Sequence, residues 1–245
     1  MKIAVAGGSG VLGHHVVEVA RHRGHEAVVL TRSEGIDLTT GEGLAERLAG
    51  VDVVVDATST KTQSRAKAEA FFGAITRNLL EAEQSAGVGH HVVVSIVGID
   101  TVPSGYYQGK LLQERLVTEG RVPWSILRAT QFHEFAEQAL GFVRVGPFSL
   151  VPKMLSQPVA AIEVAEALVD LAESGPAGRV PDLAGPEPLQ MVELARRVST
   201  TRGLGRRVLG LRVPGAMGKG LRSGKLIPTS SGPRGKIGFT EWLGT

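Results

Sequence analysis

Apolar residues gather in short, nearly unbroken runs separated by longer stretches in which they recur at every third or fourth position. The runs lie at 2–6, 26–31, 51–56, 90–95 and 123–128. Val and Ile dominate them without strict alternation, the pattern of parallel strands covered on both faces. The intervening stretches, about 11–23, 41–49, 65–86 and 105–119, read as helices, with Gly24, Gly50, Gly87 and Gly120 where stop signals belong. This β-α-β-α series predicts an α/β fold of the Rossmann type, a doubly wound parallel sheet. Strands one and four are expected to be neighbours at the point where the winding reverses. Beyond about residue 130 the rhythm loosens into helices near 131–142, 161–173 and 187–202, an extended piece near 147–151 and a Gly/Arg/Lys-rich tail over 203–238. The expected organisation is a core over 1–140 and a smaller substrate-binding region over 141–245, forming a single compact unit.

Composition narrows the chemistry. The chain has no cysteine, which excludes disulfides, a thiolate nucleophile and cysteine-ligated metal. No apolar run approaches the length of a membrane span, and Met1-Lys2 leads directly into a strand, so a cytoplasmic protein without a membrane partner is expected. Charge is uneven: residues 202–245 carry nine Lys or Arg against one acid, Glu241, while the rest of the chain is net acidic. That tail contains few aromatics and no nucleic-acid motif, so no nucleic-acid partner is expected. Oligomeric state is left open. The seven histidines form no evident cluster with carboxylates at ligand spacing, and no metal site is expected.

Between the first strand and the first helix stands Gly7-Gly8-Ser9-Gly10-Val11-Leu12-Gly13. Glycines at this place let backbone N–H groups and a helix N-terminus approach a pyrophosphate, so the loop is a candidate dinucleotide site. The second strand ends in Thr31-Arg32-Ser33, where an adenosine ribose would lie. Arg32 there favours a 2′-phosphate and hence NADP(H). Asp37 is a candidate contact to the adenine edge, and Ala57, Thr58 and Ser59 at the end of the third strand would line the other flank of the cofactor. No Gly-x-Ser-x-Gly elbow and no Gly-Lys-Ser/Thr phosphate loop is present.

The fourth strand ends at Ser95, and Ser104 then opens a helix on which Tyr106 and Lys110 lie one turn apart. A phenol, with a reference pKa of about 10, becomes a better acid or base when an ammonium stands beside it. Tyr106 could then protonate a carbonyl oxygen as hydride reaches its carbon, with Ser95 assisting and Lys110 also holding the nicotinamide ribose. Tyr107, three residues from Lys110, is a candidate substrate contact, as are Phe132 and His133 just beyond the fifth strand.

The Gly7–Gly13 loop, Thr31-Arg32, Ser95, Tyr106-Tyr107 with Lys110, and the stretch Trp124 to His133 together resemble the atypical short-chain dehydrogenase/reductases, the NmrA-like NAD(P)H-binding group. The resemblance covers most of the first 140 residues and, more loosely, the rest. It implies a Rossmann domain binding NADP(H), a proton donor at Tyr106 rather than Tyr107, a ribose-binding Lys110 and a pocket built partly from the C-terminal half. The segment 32–49 is shorter than is typical of the group. Since Tyr106 and Lys110 are both kept, the first expectation is an NADPH-dependent oxidoreductase reducing a small carbonyl, quinone-like or conjugated substrate. The alternatives are a non-catalytic NADP(H)-binding redox sensor and, less favoured, a nucleotide-sugar epimerase or dehydratase.

Overall fold

The computed structural model describes residues 1–244. Its order runs β1 (Lys2–Ala6), α1 (Val11–His22), β2 (Glu26–Leu30), α2 (Leu44–Arg47), β3 (Val53–Asp56), α3 (Arg65–Ala86), β4 (His90–Ile96), α4 (Gly105–Glu119) and β5 (Trp124–Ala129). There follow α5 (Phe135–Ala139), β6 (Arg144–Val145), β7 (Phe148–Pro152), β8 (Leu155–Ser156), α6 (Ala161–Ser174) and β9 (Gly178–Arg179). The chain continues through β10 (Leu189–Gln190), α7 (Met191–Thr201), β11 (Arg207–Leu211), α8 (Gly215–Arg222) and α9 (Phe239–Leu243). The stretch 203–238 therefore contains a strand and a helix, and the helices expected at 41–49 and 131–142 contract to α2 and α5.

Six strands form a sheet in the order β2-β1-β3-β4-β5-β9. The resolved ladders β1/β2, β1/β3, β3/β4 and β5/β9 are all parallel. The first strand thus lies between the second and third, and the expected adjacency of strands one and four is corrected. The cause is local. After β2 the chain enters a 3-10 turn at Arg32–Glu34, and Ile36 and Leu38 bury their side chains in the core without forming a strand. With no strand added beyond β2, the chain crosses back at once and β3 becomes the partner of β1 across the reversal.

The chain divides into two compact units, and the division is discontinuous rather than at residue 140. The first comprises 1–95, 104–128 and 164–180; the second comprises 96–103, 129–163 and 181–245. Residues 164–180 return to the first because β9 extends the sheet beside β5 and the α1 terminus engages α6, with Arg23 bonded to Asp170 at 2.6 Å and to Glu173 at 2.9 Å.

Within the first unit Leu30, Leu44, Leu48, Val54, Ile75 and Leu79 form a dry cluster. The helices α3 and α4 approach each other closely because residue 109 is glycine: a Cβ there would stand 2.7 Å from Phe72 Cδ2 and 2.8 Å from the Ala68 backbone. Arg128, almost fully buried on β5, donates Nε and Nη2 to Glu114 on α4 at 2.7 and 2.6 Å. In the second unit β11-β7-β6 make a small sheet and β10 pairs with β8. There Glu163 accepts the N–H groups of Lys236 and Ile237 at 2.5 and 3.2 Å, tying down the C-terminal segment.

Removing one partner of a buried ion pair strands the other charge, so Glu114→Gln is expected to cost roughly 3 kcal/mol in denaturant unfolding. A second expectation concerns acid. Burial, and then the charge of neighbouring His91, push the His90 imidazole from 6.5 down to about 4. The unfolded chain binds a proton first, so this part of the stability is present above pH 6.5 and is lost as pH falls toward about 4. Unfolding free energies measured across that window should slope less steeply in His90→Gln than in the parent.

Candidate active site

The glycine loop sits where β1 hands over to α1. Gly7 takes a φ of +75°, and a Cβ on it would stand 3.0 Å from Ala57 O and 3.1 Å from Thr58 Cα, so the loop lies directly against the end of β3. A Cβ on Gly13 would drive into the Gly7 and Gly8 backbone, 2.8 Å from Gly8 Cα. Gly10 is the N-cap of α1 and no side chain caps the helix. The N–H groups of the first turn therefore have no intrahelical acceptor, by the geometry of any helix start. Ser9, Gly10 and Val11 are exposed, whereas Leu12 turns into the core, so Leu12 offers this loop only its backbone. Uncapped amides beside side-chain-free positions fit a diphosphate.

Arg32 is exposed on the 3-10 turn that follows β2, and Thr31 Oγ1 lies 2.9 Å from Ser33 Oγ. Asp37 serves its own loop: its Oδ1 accepts from Thr39 N at 2.9 Å and from Thr39 Oγ1 at 2.6 Å. Those bonds, reinforced by the charge of Arg32, lower its pKa.

At the end of β3 a buried polar chain begins. Asp56 Oδ1 accepts from Thr58 N at 2.9 Å and Thr58 Oγ1 at 2.6 Å, while its Oδ2 accepts from Gln113 Nε2 at 2.7 Å. Gln113 Oε1 in turn accepts from Lys110 Nζ, which also donates to Val94 O on β4 at 2.7 Å. Asp56, Gln113 and Lys110 are all buried. Burial brings the Lys110 pKa from 10.5 down to about 8, with Asp56 and Glu114 opposing the fall. Gln113 was not among the residues expected from sequence. Its signal was weak, being one more polar residue on a helix, three positions after a lysine.

Tyr106 and Lys110 do share a helix face, and both rest on one ring. The Tyr106 ring meets Phe72 edge-on at 5.5 Å between centroids, and Lys110 Nζ stands 5.0 Å from the Phe72 centroid. The expected lowering of the Tyr106 pKa by Lys110 is not what this arrangement does. Burial, with a smaller push from Asp56, raises the phenol pKa, and only the hydrogen bond with Ser59 pulls it down. The reason is geometric: the ammonium is turned toward Val94 and Gln113. The phenolic oxygen lies 3.0 Å from Ser59 Oγ instead. Burial also raises the pKa of Tyr107, whose ring lies against Tyr106 at 6.2 Å. Ser104 occupies the N-cap of α4 without making a side-chain cap bond. Ser95 Oγ is buried at the end of β4 and has no hydrogen-bond partner among the described residues.

Phe132 and His133 belong to the second unit. Phe132, half-buried, bridges to Val159. His133 is buried, donates Nε2 to Ile237 O at 3.0 Å, and packs its ring on Phe239 and Trp242 at 5.4 and 5.5 Å. Its role there is to hold the C-terminal segment, a correction to its expected place as a substrate contact. The histidine expectation also needs amending: His14, His15 and Glu18 converge on the surface of α1, with His14 Nε2 and His15 Nδ1 at 3.4 and 3.3 Å from Glu18 Oε2. Helical spacing of three and four residues brings them together.

The sequence profile of an NAD(P)H-binding family matches residues 35–174. Quinone oxidoreductase 2 of Escherichia coli (strain K12) is 25% identical over 221 residues, covering 82% of this chain and 74% of that protein. The crystal structure of an NADPH-dependent quinone oxidoreductase from Escherichia coli complexed with NADPH superposes with a TM-score of 0.67 at 21% identity, over 93% of this chain and 92% of that one. A UDP-glucose 4-epimerase from Thermus thermophilus in complex with NAD gives a TM-score of 0.69 at 20% identity, covering 99% and 96%. These two structures share the fold of this chain. Among the described residues no helix is long and apolar enough to cross a membrane. With more than half of its length matched by that profile, the chain belongs to the NAD(P)H-binding family.

Proposed function

We propose that this protein is an NADPH-dependent oxidoreductase that reduces a small quinone-like, carbonyl or conjugated acceptor, with Tyr106 as the proton donor. One observation carries the reading. The glycine loop abuts Ala57 and Thr58, the next residue is Ser59, and Ser59 Oγ holds the Tyr106 hydroxyl at 3.0 Å, so a half-buried phenol stands one residue from the dinucleotide loop. The likeness to a quinone oxidoreductase over most of the chain supports a quinone-like acceptor over a nucleotide sugar.

Bound NADPH supplies a hydride. What the chain adds is a proton in a defined place. A phenol whose pKa is raised by burial keeps its proton throughout the neutral range, which suits reduction, where the enzyme gives a proton to an oxygen gaining charge. The same shift disfavours the reverse direction, which would begin from phenolate. For a quinone the hydroquinone is completed by one hydride and one proton; Tyr106 provides that proton, and solvent reprotonates the phenolate left behind. Ser59 orients the hydroxyl, and Ser95, whose hydroxyl is buried at the end of β4 without a partner among the described residues, is assigned as a second donor to the same oxygen. Lys110 acts as a positioning residue, fixing α4 to β4 and to Gln113, and Gln113 links it to Asp56. Arg32, exposed after β2, is assigned to the 2′-phosphate that distinguishes NADPH from NADH.

Tyr106→Phe is expected to lower kcat with a quinone acceptor on the order of 100-fold while NADPH affinity, read by fluorescence titration, stays near the parent value. Unchanged turnover would remove the phenol from the reaction, and NADPH binding without turnover of any quinone or carbonyl would favour the sensor. Arg32→Ala should weaken NADPH binding by about tenfold and leave NADH nearly unaffected; equal losses would reject the assignment.

A further inference from the structure

Among the described residues eight large apolar side chains are exposed, and six of them fall in two short segments of the second unit: Phe142, Val143, Val145, Leu204, Leu209 and Leu211. The ladders show why several of them share a surface. β7 lies between β6 and β11, with Val145 opposite Phe148, Leu209 opposite Leu150 and Leu211 opposite Pro152. Leu150 N donates to Val143 O at 2.9 Å, which carries the β6 pairing one step further. Paired residues point to the same side of a sheet, and along β7 Ser149 and Val151 are buried while Phe148, Leu150 and Pro152 are only partly covered. The outer face of this sheet therefore presents aliphatic side chains from all three strands, with Val145 60% exposed and Leu209 47%.

The two segments that build this face carry charge of one sign. Residues 140–153 and 202–214 hold six Lys or Arg and no Asp or Glu. Arg207 lies on the apolar face itself, its guanidinium 6.0 Å from the Phe148 ring centroid, and Arg212 is exposed just past the end of β11, while Arg144 pairs with Ser149 on the other side of the sheet. Arg202 is engaged by Glu137, Arg206 donates to Phe148 O at 2.7 Å and Arg144 donates Nε to Leu140 O at 3.3 Å, which leaves Lys153, Arg207 and Arg212 as the remaining exposed cations of these segments.

We propose that this face docks on an anionic lipid surface, laying its aliphatic side chains among the headgroups while the arginines meet lipid phosphates. An apolar patch bordered by cations is the composition that gains from both burial and anionic headgroups. A second copy of the chain is a poorer fit, because a two-fold interface would set this rim against itself, cation on cation, with no acid in either segment to answer it. Docking of this kind needs no spanning helix, and it is independent of the reduction proposed above.

The test is flotation of the full chain with vesicles of phosphatidylcholine containing phosphatidylglycerol, against vesicles of phosphatidylcholine alone. The parent should float with the anionic vesicles and stay below with the neutral ones, and added salt should weaken the binding. The double variant Val145→Glu/Leu209→Glu and the double variant Arg207→Glu/Arg212→Glu should each reduce the bound fraction by roughly tenfold or more. Both pairs are exposed, so the core is untouched. A parent that ignores anionic vesicles, or either variant floating like the parent, would overturn the proposal. So would light scattering that shows a dimer dissolved by Val145→Glu/Leu209→Glu with no vesicle binding, which would give the face to a second copy.

Discussion

A lysine ammonium held inside the first unit sets the terms for the residues around it. Desolvating such a charge costs several kcal/mol unless geometry answers it. Here the answer comes from a β4 carbonyl, the Gln113 amide, the Phe72 ring face and, through Gln113, the Asp56 carboxylate. These contacts join the C-terminal ends of two strands to one turn of α4. Tyr106 lies a single turn earlier on that helix, so its hydroxyl inherits a fixed height above the sheet edge.

The electrostatics then separate into two tasks. The ammonium and the carboxylate face one another through an amide and do structural work, while the phenol stands apart from the ammonium and stays protonated. In a site of this kind the direction of chemistry follows from which group keeps its proton, and a burial-raised phenol is suited to giving one away. The glycine loop contributes nothing with side chains. Its part is to leave amides bare and to let β3 come within van der Waals distance.

Much of the first unit could be read from the chain. The runs of Val and Ile and the glycine loop mark local features that tertiary context does not override, and β1, α1, α3, α4 and β5 fall within a residue or so of where periodicity places them. Strand order was not legible, because it depends on whether residues 36–38 add a strand, and Ile36 and Leu38 are as apolar as strand residues while packing in the core as loop. The direction of the Lys110 side chain was equally hidden. Helical spacing says that Tyr106 and Lys110 share a face, but a long flexible side chain chooses its acceptors from other elements, here Val94. His133 misled for a related reason: its position after β5 suggested the sheet edge, and the partners that claim it, Ile237, Phe239 and Trp242, lie about a hundred residues further on. Of the small β11-β7-β6 sheet only β7 was marked, as the extended piece near 147–151; β11 lies within the Gly/Arg/Lys-rich stretch, where no long apolar run sets it apart.

Phe72 and Gly109 form a matched pair: the ring carries both the phenol and the ammonium, and it fits because residue 109 offers a hydrogen where any other amino acid would offer a β-carbon. A smaller residue at 72 would release both groups that rest on the ring, yet it would not make room at 109, where a Cβ also meets the Ala68 backbone at 2.8 Å. Across descendants of this chain, residue 109 should consequently stay glycine for as long as α3 and α4 keep this separation, a helix contact that constrains the chemistry beside it.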